Sequence, residues 1–248
     1  MADSNSNLHI VIGDRPAEVC KKLADFIVDD MAEKTGPYHI AWSGGSTPKV
    51  LFRLLTEDYK DKIDWSRVHS YWGDERMVPP DHEESNFRMC RELLLDQVPV
   101  GDDQIHPVAT ELVPDVAASA YSEMLLENLP ANEDGLPVLD LNILGMGDDG
   151  HTASIFPHQM DLLTDKRICA VATHPESGQK RVTITGPVIN ASAKIIFLVT
   201  GQRKAEKVAQ ILDSKKAADE LPAAYVKPNR GELYWFLDEA AYGDTTPR

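Results

Sequence analysis

Cysteine is scarce in this 248-residue sequence, and no long apolar run is present. The three cysteines, Cys20, Cys90 and Cys169, are scattered and lack CxxC spacing, which argues against a disulfide framework and against a thiolate metal site. No segment approaches the roughly 18 apolar residues of a membrane span, and the polar first residues do not resemble a signal peptide. We therefore expect a protein of the reducing cytoplasm, with residues 1–7 as a loose tail.

Positive charge is scarce as well. The chain has 25 Lys and Arg residues against 40 Asp and Glu residues, which gives a formal net charge of −15 at pH 7. No basic block is present, so we expect neither nucleic acid nor a membrane surface as a partner. An anionic ligand would require a few cations gathered at one place against this global charge.

The usual metal and nucleotide motifs are missing. The eight histidines show no HExxH or related spacing, and no Walker A motif occurs, so no metal and no nucleoside triphosphate are predicted. GMGDDG at residues 145–150 does match the GxGxxG pattern of dinucleotide-binding turns. However, Asp148 and Asp149 would stand where a pyrophosphate should lie, and no clear amphipathic helix follows. We therefore predict no cofactor.

What the sequence does contain is an alternation of short apolar runs and helical patterns. The apolar runs predict strands at residues 8–12, 38–42, 67–72, 105–108, 138–144, 167–172, 181–185, 194–199 and 233–237. The helical patterns predict helices at residues 16–33, 48–56, 85–95, 116–128 and 202–212. This alternation predicts an open, mostly parallel, Rossmann-like α/β sheet with helices on both faces. Without a repeat or a linker, residues 8–248 are expected to form one domain and a monomer.

SGGSTP at residues 43–48 is a glycine turn between a predicted strand and a predicted helix, with Thr47 as the N-cap. Unpaired N–H groups and the helix dipole favour an anion at such a position. We predict a phosphate or carboxylate site here. The alternative is a tight turn whose Ser and Thr side chains only cap the helix.

Charged residues follow other predicted strands. GDERMVPP at residues 73–80 contains Asp74 and Arg76, and its paired prolines argue against a regular element. Arg181 opens a strand, and Lys204 lies at another strand-to-helix turn. Each of these side chains alone is typical of a solvated surface. Their positions at strand ends, where open α/β sheets place ligand crevices, favour a shared site instead.

His151 is the candidate base, in a glycine-rich loop after the strand 138–144. Two acids, Asp148 and Asp149, precede it, and a carboxylate beside a histidine can fix the tautomer of the imidazole and stabilise its protonated form, which holds a base ready near neutral pH. The alternative is a glycine turn that serves geometry alone.

Four motifs together resemble the 6-phosphogluconolactonases, which share a superfamily with glucosamine-6-phosphate isomerase/deaminase. They are WSGGSTP (42–48), WGDERMVP with SNFRM (72–79 and 85–89), LGMGDDGHTASIFP (144–157) and VTGQRKA (199–205). The resemblance implies an open α/β fold of the deaminase/lactonase type and a small phosphosugar lactone as the partner. It further implies hydrolysis of 6-phospho-D-glucono-1,5-lactone to 6-phosphogluconate, without cofactor, in the oxidative pentose phosphate pathway.

Under this interpretation, His151 would take a proton from the water that attacks the lactone carbonyl and return it to the departing ring oxygen. Asp149, with Asp74, would orient the imidazole or substrate hydroxyls, and Arg76 would stabilise the oxyanion. The substrate and its phosphate would be held by Ser43, Gly44, Gly45, Ser46, Thr47, Arg181 and Lys204.

Three alternatives accompany this hypothesis. A deaminase would carry a glutamate five residues after the motif histidine, where this chain has Phe156, and a tyrosine in place of Arg76. A covalent route would use the hydroxyl of Ser43, Ser46 or Ser154, none of which lies in a GxSxG elbow. A sugar-phosphate sensor without turnover would usually add a DNA-binding segment, which this sequence does not show.

Overall fold

The computed structural model describes residues 7–213 and 218–243, so most of the expected N-terminal tail, residues 1–6, lies outside the described residues. The strands are β1 (Leu8–Gly13), β2 (Tyr38–Trp42), β3 (Val68–Trp72), β4 (Asp74–Arg76), β5 (Leu141–Leu144), β6 (Cys169–Thr173), β7 (Lys180–Ile184), β8 (Lys194–Val199) and β9 (Glu232–Asp238). The α-helices are α1 (Pro16–Ala32), α2 (Ser46–Glu57), α3 (Asn86–Leu93), α4 (Pro114–Asn128), α5 (Gly186–Ala191), α6 (Ala205–Leu212) and α7 (Glu239–Tyr242).

Six of these strands form a parallel sheet in the order β1-β9-β8-β5-β2-β3. This confirms the predicted open α/β sheet. The chain leaves β2 toward β3 on one side and later returns as β5 on the other side of β2. Such a reversal opens a crevice beyond the carboxyl ends of the strands. The crevice of this sheet therefore lies at the ends of β2 and β5.

Alternate residues of the central strands serve two separate cores. In β8, Ile195 and Phe197 join the core that includes α4 and the strands β6 and β7, whereas Ile196 and Leu198 join the core that includes α1, α2 and α3. Successive strand residues point to opposite faces, so a continuous apolar run is what a sheet covered on both sides requires.

A second, three-stranded sheet, in the order β4-β7-β6, is antiparallel and was not predicted. Strand β4 begins two residues after β3 ends, within the segment whose paired prolines argued against a regular element. That expectation is wrong, because Pro79 and Pro80 lie beyond the strand and leave its N–H groups free to pair with β7. The small sheet lies over the carboxyl end of β3.

Two further local predictions are also wrong. Residues 105–108 form no strand; Ile105 makes one isolated bridge to Ser70, and Pro107 cannot extend a ladder. Helix α2 begins at Ser46 with Gly45 as N-cap, so Thr47 lies within the first turn, where Pro48 is tolerated because its missing N–H has no partner to lose. Within the described residues, no helix is both long and apolar enough to cross a membrane.

Candidate active site

The four motifs meet at the carboxyl ends of β8, β5, β2 and β3, which are neighbours in the parallel sheet. Two adjoining cavities of about 180 and 310 Å³ lie there, with Gly44, Gly45, Gly145 and Met146 in the walls of both. The smaller cavity is lined by the predicted residues Ser43, Asp74, Arg76, His151 and Arg181. The larger is lined by the predicted residues Ser46, Thr47 and Lys204.

His151 is held by a hydrogen bond to Asp149, with 2.6 Å between Nδ1 of the imidazole and Oδ1 of the carboxylate. The same Oδ1 accepts the backbone N–H of His151 at 3.1 Å. Burial raises the pKa of Asp149, but the hydrogen bonds and charge of His151 outweigh it and lower this pKa to about 2. The carboxylate is thus an acceptor that places a proton on Nδ1 and leaves Nε2 free to accept another.

The loop around this pair closes tightly. The N–H of Gly147 donates to the carbonyl of His151 at 2.9 Å, and the N–H of Gly150 donates to the carbonyl of Gly147 at 3.1 Å. A Cβ at Gly147 would lie 2.1 Å from Nδ1 of His151 and 2.5 Å from Oδ1 of Asp149. The hydrogen-bonded pair of His151 and Asp149 therefore occupies the space that any larger residue at position 147 would need.

Asp74 lies in the wall of the smaller cavity and is held from behind. Its Oδ2 accepts the hydroxyl of Ser154 at 2.6 Å, and its backbone carbonyl accepts Nδ2 of Asn86 at 3.0 Å. Ser154 is fully buried, and its backbone N–H donates to Thr183 Oγ1 at 3.2 Å. The carboxylate that contacts the His151 ring belongs to Asp149, and that of Asp74 is fixed separately.

Glu75, between two predicted site residues, serves the fold. Its carboxylate accepts the backbone N–H groups of Arg76, Asn86 and Phe87 at 2.7–2.8 Å and the Ser85 hydroxyl at 3.1 Å. Burial raises its pKa, and these backbone hydrogen bonds oppose the rise. Ser85 also caps α3 by accepting the N–H of Arg88. Glu75 thus ties the start of α3 to β4.

Arg76 and Arg181 lie side by side in β4 and β7. Nη1 of Arg76 donates to the carbonyl of Glu84 at 2.7 Å, and the guanidinium of Arg181 lies 5.6 Å from the centre of the Phe156 ring. Burial lowers the pKa of Arg181. The Nε atoms of both arginines are buried and have no hydrogen-bond partner among the described residues. Unsatisfied donors of this kind point to an anionic ligand.

The larger cavity brings the start of α2 together with the turn after β8. The hydroxyls of Thr47 and Thr200 are 2.7 Å apart. Nζ of Lys204 lies 2.5 Å from Oδ1 of Asp148, and Nε of Arg203 lies 3.8 Å from Oδ2 of the same carboxylate. Helix N-terminal N–H groups, hydroxyls and an ammonium group form a suitable set of donors for a phosphate.

No group of three or more His, Cys, Asp or Glu side chains in the described part of the chain is arranged to hold a metal ion. The two cavities offer acid, base and cationic side chains.

Comparison with known proteins identifies the family. Residues 14–235 match the family model of glucosamine-6-phosphate isomerases/6-phosphogluconolactonase. The chain belongs to this family.

Curated members of the family are similar over most of their length. The 6-phosphogluconolactonase of Haemophilus influenzae is 41% identical over 206 residues, which cover 83% of this chain and 86% of the relative. That of Nostoc sp. is 39% identical over 237 residues, or 93% and 95% of the two chains. The solved structure of the 6-phosphogluconolactonase from Trypanosoma brucei has a TM-score of 0.84 and 31% identity, covering 96% of this chain and 98% of the other.

Phe156 occupies the position at which the deaminase branch of the family is expected to carry a glutamate. Its ring is fully buried, and its centre lies 4.7 Å from that of His151 and 5.4 Å from that of His174. An aromatic ring cannot transfer protons, so it supports His151 only by packing.

The structure divides the predicted cations between the two cavities. Arg181 lines the cavity of His151, whereas Lys204 lines the neighbouring one. A phosphate would contact both only where the cavities meet, beside Gly44 and Gly45.

Sequence reasoning missed several residues of the cavity walls. Asn86 lies in the smaller cavity, and its Oδ1 is buried without a partner among the described residues. Its place in SNFRM was the only available signal. Ala153, also in this wall, has a φ of 47°, which non-glycine residues rarely adopt. Arg203 and Thr200 line the larger cavity.

Proposed function

We propose that this chain is a 6-phosphogluconolactonase that hydrolyses 6-phospho-D-glucono-1,5-lactone to 6-phosphogluconate in the oxidative pentose phosphate pathway. The observation that carries the proposal is the 2.6 Å hydrogen bond between Asp149 and His151 in a cavity that also contains Arg76. A base with a fixed tautomer, in the same cavity as a guanidinium whose buried Nε has no partner among the described residues, is a combination suited to ester hydrolysis by water.

In the proposed reaction, Nε2 of His151 takes a proton from the water that attacks the lactone carbonyl carbon. Arg76 stabilises the negative charge that develops on the carbonyl oxygen, and Asp149 stabilises the imidazolium. The protonated histidine then gives its proton to the ring oxygen as the bond between that oxygen and the carbonyl carbon breaks. The product is the open-chain carboxylic acid with a free hydroxyl, and the enzyme returns to its starting state.

The remaining residues would position the substrate. Asp74, held by Ser154, would accept hydrogen bonds from sugar hydroxyls. The phosphate would lie at the start of α2, against Gly44, Gly45, Ser46 and Thr47, with Lys204 as its main counter-ion. Arg181 would reach the phosphate from the smaller cavity, and Ser43, in the wall of that cavity, would contact the sugar.

The covalent alternative finds little support. The hydroxyl of Ser154 is fully buried and already donates to Asp74, so it is not available as a nucleophile. Among the described residues, the side chains of Ser43 and Ser46 form no hydrogen bond with His151. We therefore propose direct attack by water, and an acyl-enzyme trapped by rapid quenching would contradict that step.

The direct test compares lactone decay with and without the protein, while ammonia release from glucosamine 6-phosphate is monitored in parallel. We expect 6-phosphogluconate to form faster than the spontaneous rate and no ammonia to appear. His151→Gln should lower kcat by roughly 10²–10⁴-fold while the Kd for 6-phosphogluconate stays similar. His82→Gln, at a residue outside both cavities whose side chain is 41% exposed, is the matched control. Wild-type turnover in the His151 variant would remove this residue from the mechanism.

A further inference from the structure

Asp148 and Asp149 are consecutive acids whose side chains serve different partners. Asp149 binds His151, whereas Oδ1 of Asp148 lies 2.5 Å from Nζ of Lys204 and its Oδ2 lies 3.8 Å from Nε of Arg203. Among the described residues that line the larger cavity, Arg203 and Lys204 are the cationic ones. One carboxylate therefore faces both cations of that cavity.

We propose that Asp148 is a built-in counter-anion that weakens phosphate binding at Lys204 and so sets the affinity of this enzyme for phosphorylated ligands. Asp148 acts through Lys204 and is a positioning residue, not a catalytic one. The inference rests on the proposed function in placing the phosphate at the start of α2.

The ion pair does not prevent Lys204 from binding a phosphate. An ammonium group has three N–H donors, and the hydrogen bond to Asp148 uses one of them. A phosphate bound by another donor would accept at roughly 2.8 Å and would lie about 5 Å from the carboxylate. A phosphate ester carries between one and two negative charges near pH 7. Ligand and carboxylate would therefore repel each other across the shared ammonium group.

A competing effect is the ordering of the lysine. By fixing a long side chain, Asp148 would improve phosphate binding, because less conformational entropy would be lost on association. Lys204, however, is only 20% exposed, so packing already restricts it. Repulsion between unit charges about 5 Å apart changes an equilibrium by about fourfold per charge even in a water-like medium. We therefore expect repulsion to dominate.

The consequence for turnover concerns the product. 6-Phosphogluconate keeps the phosphate of the substrate and gains a carboxylate, so a highly cationic site would hold it more tightly than the lactone. A carboxylate that offsets part of the charge of Lys204 and Arg203 limits this product retention. It also lowers substrate affinity, which is tolerable when the substrate is present at concentrations near KM.

The test is a calorimetric titration of inorganic phosphate at pH 7.5 into the wild type, Asp148→Asn, Asp148→Glu and Asp96→Asn. Asp96 is the matched control, because it is 50% exposed against 52% for Asp148 and pairs with Arg91 at 3.2 Å away from both cavities. We expect Asp148→Asn to lower the Kd by about three- to tenfold, after screening by salt. The other two variants should stay within twofold of the wild type.

Kinetics and a double variant complete the test. In Asp148→Asn, KM for the lactone should fall with the phosphate Kd, and kcat should not rise. Lys204→Gln should weaken phosphate binding, and the effect of Asp148→Asn should shrink in that background. An unchanged or weaker phosphate affinity in Asp148→Asn, an undiminished effect without Lys204, or no phosphate binding to the wild type would each overturn the inference. Absent lactone hydrolysis with the expected phosphate affinities would contradict only the proposed function.

Discussion

Arg76 and Arg181 are direct cross-strand partners in the antiparallel pair of β4 and β7, at the wall of the same cavity. Like charges at such positions destabilise a sheet. Neither arginine forms a salt bridge within the described part of the chain, whose ion pairs lie elsewhere. The pair therefore indicates a wall arranged for an anionic ligand at the expense of the stability of the small sheet.

Removing one of these two positive charges should raise the stability of the protein and lower its activity. Arg181→Met keeps an unbranched apolar stem but removes the repulsion and the buried, unpaired Nε. We expect the melting temperature of the ligand-free protein to rise by about 1–3 °C. We also expect kcat/KM to fall by roughly 10- to 100-fold, because Arg181 is proposed to bind the phosphate of the substrate and a hydrogen bond to a charged group contributes about 1.5–3 kcal/mol. Differential scanning calorimetry and initial rates are the measurements.

Arg167→Met is the control for this experiment. Arg167 pairs with Asp165 at 2.5 Å outside the site, so its loss should not raise the melting temperature and should leave the rates unchanged. A lower melting temperature for Arg181→Met would show that the arginine stabilises the small sheet.

Gly147→Ala should damage the base without unfolding the protein. The new Cβ would meet Nδ1 of His151 at 2.1 Å and Oδ1 of Asp149 at 2.5 Å, so this hydrogen-bonded pair must move. We expect kcat to fall by about 100-fold, because small displacements of a catalytic group are costly. Gly73→Ala, where the nearest atom would lie at 3.8 Å, should keep most activity. Equal losses in both variants would mean that the backbone, and not the base, is affected.

Ser154→Ala tests the support of Asp74. The substitution removes the 2.6 Å hydrogen bond to Oδ2 and leaves the carboxylate free to rotate. We expect kcat/KM to fall by about 5- to 20-fold, equivalent to roughly 1–1.8 kcal/mol for a hydrogen bond to a charged group. Ser192→Ala, at another buried serine that accepts Nδ2 of Asn142 at 3.2 Å, should cost similar stability and no activity. Matching kinetic losses would argue against a role for Ser154 at the site.

Three packed histidines, one buried and two partly buried, should make the fold sensitive to acid. His39, His69 and His106 lie together near the amino ends of β2 and β3, with Tyr71 stacked on His106. Burial, followed by the neighbouring His69 and His39, lowers the pKa of His106 to about 4, and burial also lowers the pKa of His39. At mildly acidic pH, these histidines therefore bind more protons in the unfolded chain than in the folded chain.

The contribution of these histidines to the free energy of unfolding should therefore be fully present above about pH 6.5 and should be lost as the pH falls from about 6.5 to 4. Urea unfolding at pH 7.0, 5.5 and 4.5 measures this decline. His106→Gln should make the decline shallower, whereas His82→Gln, at a histidine outside this cluster, should leave it unchanged. The same slope in His106→Gln as in the wild type would place the sensitivity elsewhere.

The buried strands could be predicted from local sequence. Tyr38–Trp42 and Lys194–Val199 have the predicted bounds, because each is an apolar run covered on both faces and closed by turn-forming residues. The second sheet could not be found in this way. Strand β4 consists of only three residues, all of them charged. It becomes a strand because it pairs with β7, which lies more than 100 positions later in the chain. No local pattern carries that information.

The candidate site, like the fold, could be predicted only in part from local sequence. That His151, Asp74 and the glycine turn at Gly44 would share a crevice followed from their positions at the ends of parallel strands. Which carboxylate contacts the imidazole did not follow, because it depends on side-chain rotation within one loop. The separation of Arg181 from Lys204 depends on the unpredicted small sheet.

Gly73 is the single residue between β3 and β4, and it is hydrogen-bonded to both sheets. Its N–H donates to Trp42 of the parallel sheet at 3.2 Å, and its carbonyl accepts Ile184 of the antiparallel sheet at 3.0 Å. His151 lies in the loop that follows β5 of the first sheet, and the two arginines lie in β4 and β7 of the second. A substrate that contacts His151 and the two arginines would therefore connect the two sheets. Its binding should stabilise the whole molecule in addition to placing it for reaction.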